Sequence, residues 1–367
     1  MDGMQRLEYV DIFRGIALLI MVTIQIFDFL SVSSIYTTPP YYVDTINSVT
    51  WVPPSLLFTF VSGMSVFLLV KKRLFVNKLS GQRTFFEVFK RYGKYVLISL
   101  PFTTIMWNVG VYFGWNEAIQ GIGLTAIFTA VFLIMFFKYF KKVNSTIGYT
   151  TLTFLIIIFS FLQSTVPKLL DNSTFASDFP RQPNLSYLNI PSLFGSLVLN
   201  IFFRGWFSIA NLFPMMLGGV ILINLIHEDK SSHKKLMVIS VAPLLLSVLL
   251  HLLGYNIDYY GRSFSLTFFS IGESALICFV TLFLYKKSTK ESLFRIWNII
   301  TTFGITAFFV YITHYLLILK MLEITALKDL LPDIYSWIIT IPLVVSVYFL
   351  AKYYLKIKSN LPSFLRL

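Results

Sequence analysis

The sequence predicts an all-α polytopic membrane protein, a bundle of about ten transmembrane helices with both termini on the cytoplasmic side. Of its 367 residues, 56% are hydrophobic and only 13% are charged, which is outside the usual range of soluble globular proteins. Apolar runs of about 20 residues, the length that crosses a bilayer, recur along the chain. Lysine and arginine are concentrated in alternate loops, the pattern of cytoplasmic loops in membrane proteins.

The apolar runs follow one another without a low-complexity linker or an internal repeat, so we expect a single transmembrane domain over residues 1–367. The predicted spans lie near residues 9–31, 51–70, 94–113, 119–137, 147–163, 207–226, 236–254, 263–285, 297–319 and 335–355. The longest segment outside them, about 164–206, is predicted on the outer face. Its apolar part, SLFGSLVLNIFFRGW, is typical of an interfacial or re-entrant helix.

The net charge of +13 supports this topology rather than binding to nucleic acid. With the N-terminus inside, 24 of the 30 lysines and arginines lie on the cytoplasmic side. The six outside are Lys168, Arg181, Arg204, Arg262, Lys320 and Lys328. We therefore expect a multi-pass protein of the cell (plasma) membrane. One cysteine and four scattered histidines predict neither a disulfide framework nor a metal site.

The first predicted span, VDIFRGIALLIMVTIQIFDFLS, carries Asp11, Arg14, Gln25 and Asp28. A helix turns about 100° per residue, so these four side chains lie on one face. A charged group at membrane depth costs roughly 3 kcal/mol on insertion scales, so such groups normally face the interior of a bundle or a water-filled cavity. This polar stripe therefore indicates that the first helix lines the interior of a helix bundle or a water-filled cavity. Arg14 either anchors the helix by pairing with Asp11 or binds a phosphate-like anion.

Three further titratable residues lie at membrane depth: His251 near the outer end of the seventh span, Glu273 in the eighth, and His314 in the outer half of the ninth. By its position, His314 should lie at the depth of Gln25 and Asp28. An imidazole there either bonds to a neighbouring helix or removes a proton from a hydroxyl or amine during acyl transfer. The carboxylates can act as acids, bases or orienters of a histidine, or carry protons in a transporter.

Four motifs resemble the transmembrane acyltransferases related to heparan-alpha-glucosaminide N-acetyltransferase. VDIFRGIALLIMV resembles the D-x-[FL]-R-G-[IL] start of that family's first span, and WNEAIQGIGL resembles its L-Q-x-[IL]-[GA] segment. GRSFSLTFFSIG resembles a later serine-rich helix start, and GITAFFVYITH resembles a late helix ending in V-Y-x-x-H. The resemblance implies a helical bundle in which acyl-CoA enters from the cytosol and the acyl group passes to an acceptor on the other face.

The resemblance also implies roles for individual residues. Gln25 stands where relatives have an asparagine that orients the acyl group, and the motif around Gln120 adds this residue to the cofactor-binding set. The family's catalytic histidine lies in the loop after the first span, where this chain has Tyr42 and Asp44. In the wider superfamily a histidine often ends the first span, and here that place is taken by Gln25. The base is then His314, His251 or a carboxylate, or the chemistry has been lost.

The leading hypothesis is a membrane acyltransferase that uses acyl-CoA, in the simplest case acetyl-CoA, as co-substrate and needs no metal. His314, Asp28 and Gln25 are the predicted catalytic residues, and Arg14, Asp11 and Gln120 the predicted cofactor-binding residues. The predicted substrate-binding residues are Tyr42, Asp44, His251 and Glu273. The expected partners are membrane lipids and a sugar or lipid-linked acceptor, with a homodimer left open. The alternatives are a proton-coupled transporter or flippase and a catalytically inactive relative.

The topology can be tested by cysteine labelling. Residues 31–50 lack lysine and arginine whereas residues 71–94 are rich in both, so the first loop should lie outside and the second inside. Single cysteines at Ser33 and Ser80, in a Cys278→Ser background, should react with an impermeant thiol reagent from opposite faces of the membrane. Labelling of both positions from one face would contradict the topology.

Overall fold

The computed structural model of the protein describes residues 8–31, 54–107, 118–140, 146–171, 190–204, 207–228, 233–255, 263–288, 291–325 and 330–360. The α-helices of these residues are α1 Glu8–Leu30, α2 Pro54–Lys71, α3 Gly81–Trp107, α4 Ala118–Phe140, α5 Thr146–Asp171, α6 Ile190–Leu199, α7 Ile209–Glu228, α8 His233–Leu252, α9 Phe264–Lys287, α10 Glu291–Ile305, α11 Ala307–Thr313, α12 Lys320–Ile324 and α13 Asp333–Ile357. Wider π-helical turns follow three of them, at Lys72–Val76, Asn200–Arg204 and His314–Leu319. These residues form no strand, and an isolated bridge joins Ser31 to Leu331.

Nine helical stretches in the described part of the chain are long and apolar enough to cross a membrane, which confirms the predicted all-α polytopic fold. They are Glu8–Phe27, Ser55–Val76, Ala118–Phe140, Thr146–Leu170, Ile209–His227, Lys234–Leu252, Phe264–Lys287, Ala307–Ile324 and Ile334–Asn360. Eight of these correspond to predicted spans. The remaining stretch, Ala307–Ile324, is shifted from the predicted span at 297–319.

Two predicted spans differ from this set. The predicted span at 94–113 is not among the nine; the helix there, α3, begins at Gly81, and residues 108–113 of the predicted span lie outside the described residues. The predicted span at 297–319 is two helices, since the backbone at Thr306 (φ −102°, ψ 16°) leaves the helical region between α10 and α11. An apolar pattern continues through such a break, so hydropathy alone does not reveal it.

The chain divides into two compact units. The first is formed mainly by residues Thr59–Phe279, and α7 is the most buried of its apolar helices. The apolar stretch of α7 is 89% buried inside the protein, whereas that of α5 is 28% buried. Phe213 of α7 makes edge contacts with Phe128 and Phe132 of α4 and with Phe159 of α5, with ring centroids 4.8 to 5.7 Å apart. The helices of this unit thus pack around α7.

The second unit contains α1 and residues Val280–Leu367. Here α1 packs against α10, α11 and α13. The approach to α10 is so close that a Cβ atom on Gly15 would overlap the carbonyl oxygen of Ile300, and one on Gly304 would overlap that of Asp11. Small residues at membrane helix contacts allow backbones to come together in this way. Glycine is therefore required on both sides of the crossing.

Substitution of Gly304 tests this contact. Gly304→Ala should lower the free energy of unfolding by about 1 to 3 kcal/mol, because the added methyl group meets backbone rather than a movable side chain. The measurement is the thermal unfolding temperature of the detergent-purified protein. Gly93→Ala is the matched control: its Cβ would lie 3.7 Å from Phe89, an ordinary contact, so this change should be neutral or stabilising. Equal behaviour of the two variants would contradict the required close approach.

Candidate functional site

A buried hydrogen-bonded chain of side chains joins α1 to the segment after α11. His314 is fully buried, and its Nε2 lies 2.8 Å from Oε1 of Gln25. The other ring nitrogen, Nδ1, lies 3.1 Å from the carbonyl oxygen of Val310. The Gln25 amide nitrogen in turn donates to the hydroxyl of Tyr315 at 2.6 Å. All four residues belong to the second unit.

The backbone at His314 is unusual for a membrane helix. A π-helical turn begins at this residue and ends at Leu319, and the Lys320 N–H bonds to the carbonyl of Tyr315, five residues back. Neighbouring residues of a regular α-helix point about 100° apart, yet the His314 and Tyr315 side chains both contact one amide. π-helical turns within α-helices occur frequently at functional sites. The π-helical backbone and the contacts of His314 and Tyr315 with Gln25 therefore indicate the same candidate site.

Aromatic rings enclose the imidazole on its own helix. The Tyr315 ring centroid lies 4.5 Å from that of His314, and the Tyr311 ring meets the imidazole edge-on at 5.5 Å. On the far side of α11, Phe309 stacks on Tyr354 of α13 at 4.1 Å with nearly parallel planes. These contacts hold α11 between α1 and α13 and fix the depth at which His314 meets α1.

The N-terminal end of the α1 stripe forms a second polar cluster. Nη1 of Arg14 donates to Oδ1 of Asp11 at 2.9 Å and to the carbonyl oxygen of Gly304 at 3.2 Å. The last carbonyls of a helix have no partner within it, and a cation there also interacts favourably with the helix dipole. Arg14 thus caps the end of α10 at the glycine crossing. Its predicted role as a phosphate contact stays a prediction.

The polar face of α1 points into the second unit, as predicted. Asp11 is 5% exposed, and the two apolar residues of the stripe, Leu18 and Met21, are buried. Gln25 and Arg14 are partly buried. Asp28 lies in the helical part of α1, but its side chain is outside the described residues, as are Tyr42 and Asp44 altogether. The contact between Gln25 and His314 confirms that these two residues lie at one depth.

The remaining predicted site residues belong to the first unit. Gln120 is buried in the first turn of α4. Glu273 is partly buried in α9, whereas His251 is exposed in the last turn of α8. Among the residues that the structure describes, no three His, Cys, Asp or Glu side chains come close enough to hold a metal ion.

Sequence reasoning missed Tyr315 and the polar pairs of the first unit. Gln163 of α5 donates to Thr267 of α9, and the Asn224 amide of α7 donates to the Tyr149 hydroxyl at 2.8 Å. Each pair contains an amide inside an apolar helix. An amide at membrane depth needs a partner on another helix, so searching for such amides would have indicated that partners exist without identifying them.

The arrangement at His314 can perform proton transfer. An imidazole both accepts and gives up a proton near neutral pH, and a neighbouring amide can orient the ring or donate to a developing oxyanion. The imidazole itself is covered, since its two nitrogens face Val310 and Gln25. A substrate reaches Nε2 only if the partly buried Gln25 side chain moves aside.

Comparison with known proteins supports the resemblance found in the motifs. The family described as heparan-alpha-glucosaminide N-acetyltransferase, catalytic, matches residues 6–260, which is more than two thirds of the chain. No curated protein matches the chain in sequence. The matched region includes Arg14, Gln25 and Gln120, whereas His314 and Tyr315 lie beyond it. The suspected family is thereby confirmed, and this multi-pass membrane protein belongs to the heparan-alpha-glucosaminide N-acetyltransferase catalytic-domain family.

Proposed function

We propose that the protein is a plasma-membrane acyltransferase that moves an acyl group, in the simplest case acetyl, from cytoplasmic acyl-CoA to a sugar or lipid-linked acceptor on the outer face. The observation that carries the proposal is the 2.8 Å contact between His314 and Gln25. It joins a titratable base to the helix whose motif and family match indicate acyl transfer. In this proposal His314, which follows α11, supplies the base. A histidine in the loop after the first span, where the family has its catalytic histidine, is then not needed.

In the proposed reaction, a hydroxyl or amine of the acceptor gives its proton to Nε2 of His314 while its oxygen or nitrogen attacks the thioester carbonyl. The N–H of Gln25 donates to the oxyanion that forms on that carbonyl. The carbon–sulfur bond then breaks, the acyl group stays on the acceptor, and the CoA sulfur takes the proton back from the imidazolium. No metal takes part in these steps.

A transporter remains the second candidate because of a row of buried hydroxyls on α9. Thr267, Ser270 and Ser274 lie on one face of this helix and are at most 4% exposed. The Ser270 and Ser274 hydroxyls have no hydrogen-bond partner among the described residues. Glu273 lies at the edge of this face. An ionisable residue within a membrane span often marks an ion or proton path, so proton-coupled uptake into liposomes is the measurement that would favour transport.

Turnover of labelled acetyl-CoA tests the acyltransferase directly. Purified protein in liposomes should release CoA and transfer label to a mixture of amino sugars and lipid-linked sugars. His314→Ala should lower the rate roughly 100-fold or more, the usual contribution of a general base. His251→Ala should have a much smaller effect.

Two controls accompany this measurement. The His314→Ala protein should keep its size-exclusion profile and its binding of CoA, which separates lost chemistry from lost folding. A larger loss in His251→Ala than in His314→Ala would show that the wrong histidine had been chosen. Absence of label transfer by the wild-type protein with every acceptor, together with proton-coupled uptake, would replace the proposal by the transporter.

The proposed CoA contact of Arg14 needs a control for its structural role. Arg14→Ala should weaken CoA binding more than acceptor binding, because a guanidinium matches phosphate oxygens. Asp11→Asn weakens the same ion pair but keeps the cation, so it is the matched variant. CoA binding, measured by calorimetry, should fall much further in Arg14→Ala than in Asp11→Asn. An equal fall in both variants would mean that Arg14 only holds α1 against α10.

A further inference from the structure

With the Gln25 amide oriented as it is, a neutral His314 imidazole cannot donate to both of the oxygens that its ring nitrogens face. Both ring nitrogens face acceptors, Oε1 of Gln25 at 2.8 Å and the carbonyl oxygen of Val310 at 3.1 Å. A neutral imidazole has one N–H and can donate to only one of them, whereas an imidazolium has two and can donate to both. This orientation of the amide is therefore the one that suits the protonated ring.

Turning the Gln25 amide by 180° exchanges its oxygen and nitrogen and suits the neutral ring instead. The amide N–H then donates to Nε2, and Nδ1–H donates to the Val310 carbonyl. The amide oxygen now faces Tyr315, whose hydroxyl donates to it. All three contacts are satisfied again, with one proton fewer on the imidazole.

Tyr315 is the residue that makes both orientations complete. Its hydroxyl accepts from the amide nitrogen in one orientation and donates to the amide oxygen in the other, since a phenol is both donor and acceptor. A phenylalanine at this position could do neither. A carboxylate in place of the Gln25 amide could only accept, so it could not serve a neutral ring whose lone pair is on Nε2.

We propose that Tyr315 is a positioning residue that lets the Gln25 amide turn over as His314 gains and loses a proton. The neutral imidazole is then held as the Nδ1–H tautomer, with its lone pair on Nε2. This inference rests on the proposed function for its role in catalysis. The Gln25 amide moves aside as the acceptor's proton enters at Nε2, its oxygen then turns to accept a hydrogen bond from Nε2–H, and the amide turns back when the proton leaves for the CoA sulfur.

Nitrogen NMR of the histidine rings tests the tautomer without any substrate. The chain has only four histidines, so ¹⁵N-histidine labelling gives a simple spectrum in which the His314 signals are those lost in His314→Gln. At about pH 9, well above the usual imidazole pKa of about 6.5, the wild-type protein should show a protonated Nδ1 and an unprotonated Nε2. A wild-type ring protonated on Nε2 would overturn the proposal.

Two variants test the part played by Tyr315. In Tyr315→Phe the Gln25 amide loses its hydrogen bond to the Tyr315 hydroxyl. The chemical shifts of the two ring nitrogens of His314 should therefore move towards each other as the tautomers mix. Tyr311→Phe is the matched control, because its ring also contacts His314 at 5.5 Å, and its spectrum should keep the wild-type tautomer. An unchanged spectrum in Tyr315→Phe would overturn the proposal.

Gln25→Glu provides a second route if Tyr315→Phe does not fold. A carboxylate accepts but does not donate, so the ring should change to the Nε2–H tautomer or become an imidazolium. Retention of the Nδ1–H tautomer would overturn the proposal. An inactive protein with the expected tautomers would refute the proposed function alone, and an active one with Nε2–H in the wild type would refute this inference alone.

Discussion

The close approach of α1 to α10 at Gly15 and Gly304 is the contact on which the second unit depends. From this crossing, α1 continues to Gln25 and the other chain segment continues to His314. The residue numbers differ by 289 in both pairs, 304 against 15 and 314 against 25. Two helical segments running in the same direction at about 1.5 Å per residue stay level over ten residues. The glycine crossing therefore sets the register that brings the amide to the imidazole.

The same constraint explains where the polar residues of α1 lie. At membrane depth each polar group needs a partner inside the protein, because the lipid supplies none. Arg14 finds one in the carbonyl of Gly304, at the end of a helix, and Gln25 finds two in His314 and Tyr315. The first contact is structural and the second joins a titratable group. One helix face thus combines an anchor at its N-terminal end with the contact to His314 about 16 Å further along the axis.

Much of this arrangement could be predicted from the sequence, because it depends on helical periodicity and on length. The single polar face of α1 follows from residue spacing, and the common depth of Gln25 and His314 follows from counting along two spans. The break at Thr306 and the π-helical turn at His314 could not be predicted, since both leave the apolar pattern intact. Tyr315 was missed for a related reason: a regular helix would point it about 100° away from His314.

The register shared by the two segments limits how the chain can change in length. Removing or adding one residue between Gly304 and His314 would turn the imidazole by about 100° and shift it by about 1.5 Å, so it would no longer meet Gln25. A change of side chain in this stretch has no such effect on direction. The number of residues between Gly304 and His314 is therefore more tightly constrained than the side chains that they carry.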